Sequence, residues 1–210
     1  MTLKSILKQN QYFFIGYFFL VLIAAFVWIF FSKPDGFILL NPYHTKFLNV
    51  LFITLTIIGD GIFSVVLSVI LFLFKKRYLS LMVFTSFALS GIFTQILKML
   101  ISEARPGLFL AKTNYPYFIE NVTLHNFHSF PSGHSTSVFA LVAILSFALK
   151  NKNYSILFLL IGVLVGYSRI YLGQHFITDV AVGSIIGVLF AVICWMFFDK
   201  YFKRISEIKS

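Results

Sequence analysis

The stretch FITDVAVGSIIGVLFAVICWMFF, residues 176–198, carries one charged side chain, Asp179, in 23 residues. A helix needs about 20 predominantly apolar residues to cross the hydrocarbon core of a bilayer. The aspartate lies close to the start of the stretch, and every later residue is uncharged. The stretch therefore predicts a membrane-spanning helix, with its only charge near one end.

Five further apolar runs of comparable length fill most of the remaining chain. The six expected spans are residues 12–31, 47–74, 78–101, 132–149, 154–172 and 176–198. Each run is continuous and lacks the alternation of a barrel strand, so helices are expected. The sequence predicts an all-α polytopic membrane protein with six transmembrane helices, in one domain covering residues 1–210.

The composition supports a membrane environment. Hydrophobic residues make up 59% of the chain and charged residues 11%, against about 25% charged residues in an average soluble domain. The first run follows Lys4 and Lys8, which raises the alternative of a cleaved signal peptide. The run is long for that purpose and no clear small-x-small cleavage site follows it, so a retained helix is expected.

The formal net charge of +10 does not indicate a nucleic-acid partner. The basic residues lie between the apolar runs and form no stripe with interleaved aromatic side chains. If both termini are cytoplasmic, the cytoplasmic segments hold eleven of the 17 basic residues, as the positive-inside rule favours. We therefore expect cytoplasmic termini, with the bilayer as the partner and no obligate protein partner.

Three polar clusters interrupt the apolar pattern. They are Lys98 with Arg105-Pro106, then Pro131-Ser132-Gly133-His134, and finally Ser168-Arg169 followed by His175 and Asp179. In the six-span topology, all three clusters lie at the outer ends of the third to sixth spans. Hydropathy alone therefore predicts that the clusters meet at one face of the membrane.

The cations of these clusters indicate an anionic ligand. Lys98 and Arg105 are seven residues apart, which is two helical turns and nearly the same face, and Arg169 adds a third positive charge. No matching number of carboxylates is nearby, and arginine suits a phosphate through bidentate hydrogen bonds. A lone cation at a helix end could instead reach for lipid headgroups. The accompanying histidines and aspartate favour a functional site.

The second and third clusters add a helix start and a histidine–carboxylate pair. Ser132 is a favoured N-cap, and free backbone N–H groups beside Gly133 would form an anion site. His175 and Asp179 are four residues apart, on one helix face. A carboxylate that holds one ring nitrogen leaves the other free to attack. The alternative is a histidine that is merely paired with a local acid.

These residues resemble the type 2 phosphatidic acid phosphatase superfamily, whose signature is K-x6-RP, PSGH and SR-x5-H-x3-D. Every fixed position of the signature is present, in order, between Lys98 and Asp179. The resemblance implies that His175 is a nucleophile forming a phosphohistidine, that Asp179 orients it and that His134 is the general acid. It further implies that the phosphoryl oxygens are bound by Lys98, Arg105, Ser132, Gly133 and Arg169. It implies neither a metal nor another cofactor.

The resulting expectation is an integral membrane phosphatase that hydrolyses a lipid phosphate. It would lie in a bacterial inner membrane with its active site on the periplasmic side. Undecaprenyl diphosphate, phosphatidic acid, phosphatidylglycerol phosphate and lipid A phosphates all fit as substrates. A phosphotransferase on the same scaffold, passing the phosphate to a lipid or sugar acceptor, is the alternative. A channel or flippase would explain intramembrane charge but would not require the histidine–aspartate pair.

Asp60, His125 and His128 receive no role from the motifs. Asp60 lies within the second expected span, where an acid is costly and is a functional candidate. It could line the substrate path, pair with a motif cation or serve as a structural hydrogen-bonding residue. His125 and His128 lie in the long connection before the fourth span, either near the site or as ordinary loop residues.

Overall fold

The computed structural model describes residues 2–110, 115, 119 and 122–209, without the side chains of residues 200–209. All regular secondary structure in these residues is helical, which confirms the all-α fold class. The α-helices are α1 (Leu3–Gln9), α2 (Gln11–Phe30), α3 (Lys33–Leu40), α4 (Lys46–Thr56), α5 (Gly61–Leu73), α6 (Arg77–Leu100), α7 (Pro106–Leu110), α8 (Gly133–Ala148), α9 (Ser155–Tyr171) and α10 (Ile177–Lys209). Short 3-10 turns occupy Ile57–Gly59 and Lys152–Tyr154.

Several of these helices are long and apolar enough to cross a membrane. Among the described residues there are four, at Gln11–Phe30, Arg77–Leu100, Lys152–Tyr171 and Ile177–Asp199, and a fifth if α4 and α5 form one bent span. The apolar α8 has 16 residues, fewer than the roughly 20 that a span usually needs. The chain is thus an integral membrane protein with four or five candidate spans, and the count of six stays a prediction.

The second expected span, residues 47–74, is two helices instead of one. Helices α4 and α5 meet at an angle of 58° across the turn that contains Gly59, Asp60 and Gly61. Asp60 has an extended backbone, and its Oδ1 accepts a hydrogen bond from the Ile62 N–H at 2.9 Å, which caps α5. The helix breaks here because the acid satisfies the first turn of α5 from outside that helix.

Helix α8 lies at the centre of the bundle. Twelve of its 16 residues are buried, as expected for a helix that is apolar on every side. Helix α10 packs on it at Gly183 and Gly187, where a Cβ atom would lie 2.5 Å from Ser132 O and 2.4 Å from Thr136 O. Such close backbone contact is what small residues permit between membrane helices. It fixes the beginning of α10 against the beginning of α8.

The outward faces of the peripheral helices are apolar. In α2 only Phe13 and Val27 are buried, whereas Phe18, Ile23 and Trp28 are each more than half exposed. Monomeric soluble proteins rarely expose a contiguous apolar surface of this kind. The packing therefore supports a bilayer around the bundle.

The segment between α3 and α4 holds the end of α9. The Asn41 side-chain amide donates to Ile170 O at 3.2 Å, and His44 Nε2 lies 3.1 Å from Tyr171 O. The Tyr171 hydroxyl in turn donates to Asn49 Oδ1 at 2.6 Å. The last carbonyls of a helix have no partner within it, so these contacts satisfy them and anchor the turn that follows.

Candidate active site

The turn between α9 and α10 presents His175. Helix α9 ends at Tyr171, and Gly173, two residues later, has a left-handed φ of 67°, a conformation that glycine adopts without strain. The Gln174 and His175 N–H groups both donate to Arg169 O, at 2.9 and 3.2 Å. Arg169 and His175, which are separated by a turn in sequence, are therefore tied together by the backbone.

His175 and Asp179 form a buried pair. Their Nδ1 and Oδ2 atoms are 3.4 Å apart, and the side chains are 2% and 0% exposed. The same Oδ2 accepts a hydrogen bond from the Phe176 N–H at 3.0 Å. Burial lowers the pKa of His175 below its ordinary value, against the opposing effect of Asp179. The ring is thus neutral at physiological pH, and Asp179 engages Nδ1 while Nε2 is left for the cavity.

Each of the three predicted cations is held by a neutral oxygen atom. Lys98 Nζ donates to His128 O at 2.6 Å, and Arg105 Nη1 donates to the Gln174 side chain at 2.9 Å. Arg169 Nη1 donates to Thr56 Oγ1 at 2.6 Å. Within the described part of the chain, none of the three forms an ion pair with a carboxylate. Their charge is therefore available to an anion.

A cavity of about 410 Å³ joins these groups. Six of the eight predicted site residues line it: Lys98, Arg105, Gly133, His134, Arg169 and His175. Asp179 and Ser132 are fully buried beside the lining. The structure therefore brings residues of all three sequence clusters to one cavity.

Ser132 ties the start of α8 to the start of α10. Its Oγ accepts hydrogen bonds from Ser135 N at 3.4 Å and Ser135 Oγ at 2.9 Å, which caps α8. Its backbone N–H donates to Asp179 O at 2.9 Å. The N-cap expected from the sequence is present, and a contact between Ser132 and a phosphate stays a prediction.

His134 lies half-buried in the first turn of α8, against the break between α4 and α5. A Cβ atom at Gly59 would lie 3.1 Å from His134 Cβ and 2.7 Å from Val165 Cγ1. Glycine is needed here because a side chain would push the turn away from His134. The next residue, Asp60, interacts electrostatically with both His134 and Arg169.

The two unassigned histidines occupy different positions. His125 lines the cavity. His128 is exposed, and its Nδ1 lies 3.0 Å from Lys98 O, so it contacts the helix that carries Lys98. Only the first of the two loop histidines therefore faces the space between the cations.

Sequence reasoning missed Ser129, Gln174 and Thr56 as contacts of the site. Ser129 Oγ donates to Asp179 Oδ2 at 2.5 Å, and Thr56 holds Arg169. Gln174 accepts from Arg105 and donates through Nε2 to Thr123 O at 2.9 Å. The position of Gln174 next to His175 is a signal that could have revealed it. No fixed sequence spacing links Ser129 to Asp179 or Thr56 to Arg169.

Comparison with known proteins bears on the family. The sequence profile of the PAP2 superfamily matches residues 79–203. The chain belongs to the PAP2 superfamily. A phosphatidylglycerophosphatase B of Bacillus subtilis is 30% identical over 76% of this chain and 79% of its own length. The family resemblance of the three motifs is thereby confirmed.

Two further PAP2 proteins extend the comparison. The lipid A 1-phosphatase of Rhizobium etli is 34% identical over 52% of this chain, and the match covers 46% of that protein. The chain thus spans about half the length of this relative. The crystal structure of a transmembrane PAP2-type phosphatidylglycerolphosphate phosphatase from Bacillus subtilis has a TM-score of 0.66 at 25% identity, covering 91% of this chain and 96% of that one.

Proposed function

We propose that this PAP2 protein is a metal-independent lipid phosphate phosphatase that works through a phosphohistidine. The observation that carries the proposal is one cavity with three cations that form no ion pair with a carboxylate of the described residues, beside a neutral histidine held by a buried aspartate. A phosphomonoester dianion would balance the positive charge of these three side chains. Arginines bind its oxygens well because their N–H groups match the spacing of two phosphate oxygens.

In the proposed first step, His175 Nε2 attacks the phosphorus atom and the bond from phosphorus to the lipid oxygen breaks. The Nδ1 proton is held by Asp179, so the Nε2 lone pair faces the cavity. His134, on the cavity wall, gives a proton to the departing oxygen. Lys98, Arg105 and Arg169 stabilise the charge on the remaining phosphoryl oxygens, with the backbone N–H groups at Gly133.

In the second step, a water molecule attacks the phosphorus and the P–N bond breaks. His134, now deprotonated, accepts the proton of the attacking water. The products are inorganic phosphate and neutral His175, so the enzyme returns to its starting state. A covalent route of this kind divides one difficult displacement into two easier ones.

The rest of the cavity wall favours an amphiphilic substrate. Ile53, Val122 and Leu172 line it together with the polar groups. A lipid phosphate could place its phosphoryl group among the cations and its first apolar atoms against these side chains. The relatives act, by their names, on lipid A and on phosphatidylglycerophosphate. Both substrates present a phosphate next to a large apolar body.

We further propose six transmembrane helices, with both termini in the cytoplasm and the cavity at the periplasmic face of a bacterial inner membrane. The distribution of basic residues in the sequence supports this orientation. To test this orientation, one cysteine at a time would be introduced into a Cys194→Ala protein, either in the segment 75–77 or in the segment 123–128, and labelled. A membrane-impermeant maleimide added to intact cells should label only the second segment.

The test of the activity is phosphate release from a lipid panel by purified protein in detergent. The panel holds phosphatidic acid, phosphatidylglycerol phosphate, undecaprenyl diphosphate and lipid A 1-phosphate. We expect release from at least one lipid, its abolition in His175→Ala, and acid-labile ³²P on the wild-type protein alone. Near-normal turnover by a folded His175→Ala protein would rule out the nucleophile. Phosphorylated glycerol as the main product with added glycerol would indicate a transferase.

A further inference from the structure

Ser129 occupies a position that the three motifs leave without a role. Its side chain is fully buried, and its Oγ donates to Asp179 Oδ2 at 2.5 Å. The same Oγ lies 3.4 Å from His175 Nδ1. One hydroxyl thus contacts both members of the histidine–aspartate pair, from a segment 46 and 50 residues away in sequence.

The backbone of Ser129 is held on both sides. Its N–H donates to Glu103 O at 3.0 Å, and its carbonyl accepts from Lys98 Nζ at 3.4 Å. Glu103 is itself in an ion pair with Lys33 of α3. The hydroxyl is therefore presented to Asp179 by a segment that is anchored to two other parts of the bundle.

Asp179 Oδ2 receives three donors: Ser129 Oγ, Phe176 N and His175 Nδ1. Hydrogen bonds to a carboxylate stabilise its charged form and weaken its hold on a proton. The ring proton on Nδ1 consequently has little tendency to move to Asp179. Phe176 donates through its backbone and His175 is the proposed nucleophile. The Ser129 hydroxyl is therefore the donor that a substitution can remove without changing the reacting group.

The location of that proton matters most in the second step of the proposed reaction. If Nδ1 keeps its proton while Nε2 carries the phosphoryl group, cleavage of the P–N bond returns the electron pair to a neutral imidazole. If the proton has moved to Asp179, the same cleavage must release an imidazolide anion, a much poorer leaving group. Retention of the proton on the ring therefore accelerates breakdown of the phosphoenzyme.

We propose that Ser129 is a positioning residue that holds Asp179 so that His175 keeps its Nδ1 proton throughout the phosphoenzyme stage. The proposal rests on the phosphohistidine route described above. It assigns Ser129 to the hydrolysis of the intermediate, in which water attacks the phosphorus, the P–N bond breaks and the water proton passes to His134. Ser129 itself gains and loses no bond to the substrate.

The test compares Ser129→Ala with Ser129→Thr and with a matched control. Ser90→Ala is that control, because Ser90 is also fully buried and, among the described residues, its hydroxyl donates only to a carbonyl of its own helix, Phe87 O at 3.1 Å. Each protein in detergent is mixed with ³²P-labelled phosphatidic acid, or with the preferred lipid of the panel, in a rapid-quench device. The rate constants for formation and breakdown of the phosphoenzyme are then measured separately.

In Ser129→Ala we expect breakdown to slow by roughly 10- to 100-fold, the effect typical of losing a hydrogen bond to a charged group. Formation should change much less, so kcat/KM should stay near the wild-type value while kcat and KM both fall, and the phosphorylated fraction at steady state should rise. Ser129→Thr keeps the hydroxyl and should restore breakdown, and Ser90→Ala should match the wild type.

Unchanged breakdown in a folded Ser129→Ala protein would overturn the proposal. Equal losses in formation and breakdown would also overturn it, because they indicate a structural role alone. If the alanine variant does not fold, Ser129→Cys replaces it: slowed breakdown supports the proposal, and wild-type breakdown overturns it. Absence of any phosphoenzyme in the wild type would instead refute the phosphohistidine route itself, and this outcome is seen before any serine variant is made.

Discussion

If the proposed mechanism holds, the contact between α8 and α10 at Gly183 positions the proposed catalytic groups, and Gly183→Ala would perturb it directly. The added Cβ would lie 2.5 Å from Ser132 O, a backbone atom, and 3.2 Å from Ser135 Cβ. Ordinary contact begins near 3.4 Å, so the two helices would have to separate by about 0.9 Å because packed backbone cannot yield locally.

That separation would act on the site from both sides. Ser132 precedes the turn that carries His134, and Asp179 lies one helical turn before Gly183. The Ser132 N–H bond to Asp179 O, at 2.9 Å, joins the same two points. A misplacement of about 1 Å between reacting groups can cost on the order of 100-fold in rate, and overpacking costs about 1–3 kcal/mol of stability. We expect losses of that size in kcat and in the free energy of unfolding.

Two other glycines supply the comparison. Gly91→Ala on α6 is the matched control, because a Cβ there meets no atom within 4 Å. Gly187→Ala meets Thr136 O at 2.4 Å, one turn farther from the site, and should lower stability more than it lowers kcat. The assays are phosphate release from the preferred lipid and thermal unfolding, both in detergent. A Gly183→Ala protein with the kcat and melting midpoint of Gly91→Ala would show that this contact does not position the site.

Three further outcomes are expected. Activity should survive EDTA, because Lys98, Arg105 and Arg169 supply the positive charge that a metal ion supplies in many phosphoryl-transfer sites; loss on chelation, restored by a divalent metal, would contradict this. His134→Ala should reduce turnover of a lipid monoester by roughly 10²–10⁴-fold more than turnover of p-nitrophenyl phosphate, because only the lipid alkoxide needs the proton in order to leave. Equal losses on both substrates, with no burst of p-nitrophenol release, would show that His134 is not the general acid. Because burial lowers the pKa of His175 below 6.5, its ring stays unprotonated until the pH falls well below that value. On the acid side of the pH profile, phosphoenzyme formation should therefore be lost only well below pH 6.5, and an acid-side midpoint above 6.5 would contradict the neutral nucleophile.

The fold class and the meeting of the motifs could be predicted because both depend on local signals. A run such as residues 176–198 is apolar without reference to the rest of the chain. The Lys98, His134 and His175 clusters each follow or open such a run, so span order alone brings them to one side. Fixed spacings then identified six of the residues that line the cavity.

The break at Asp60 and the contacts of Ser129 could not be predicted in the same way. Residues 47–74 are apolar on both sides of the acid, and only the 58° bend shows that Asp60 caps a new helix. Ser129 and Asp179 are 50 residues apart in sequence, and their contact depends on the packing of α8 against α10. Thr56 reaches Arg169 for a similar reason, because α4 packs beside α9.

The bend between α4 and α5 also limits what an inhibitor of this site should look like. An interrupted helix at membrane depth leaves backbone groups without their regular partners, which is tolerated only where protein or a water-filled space surrounds them. The end of α4 borders the cavity through Thr56, and the 3-10 turn after it adjoins the first turn of α8 at Gly59. A compound that filled the cavity with hydrocarbon alone would remove water from this side of the interrupted helix. We therefore expect tight binders to carry hydrogen-bonding atoms that face the cations and to leave water or a polar group against the bend.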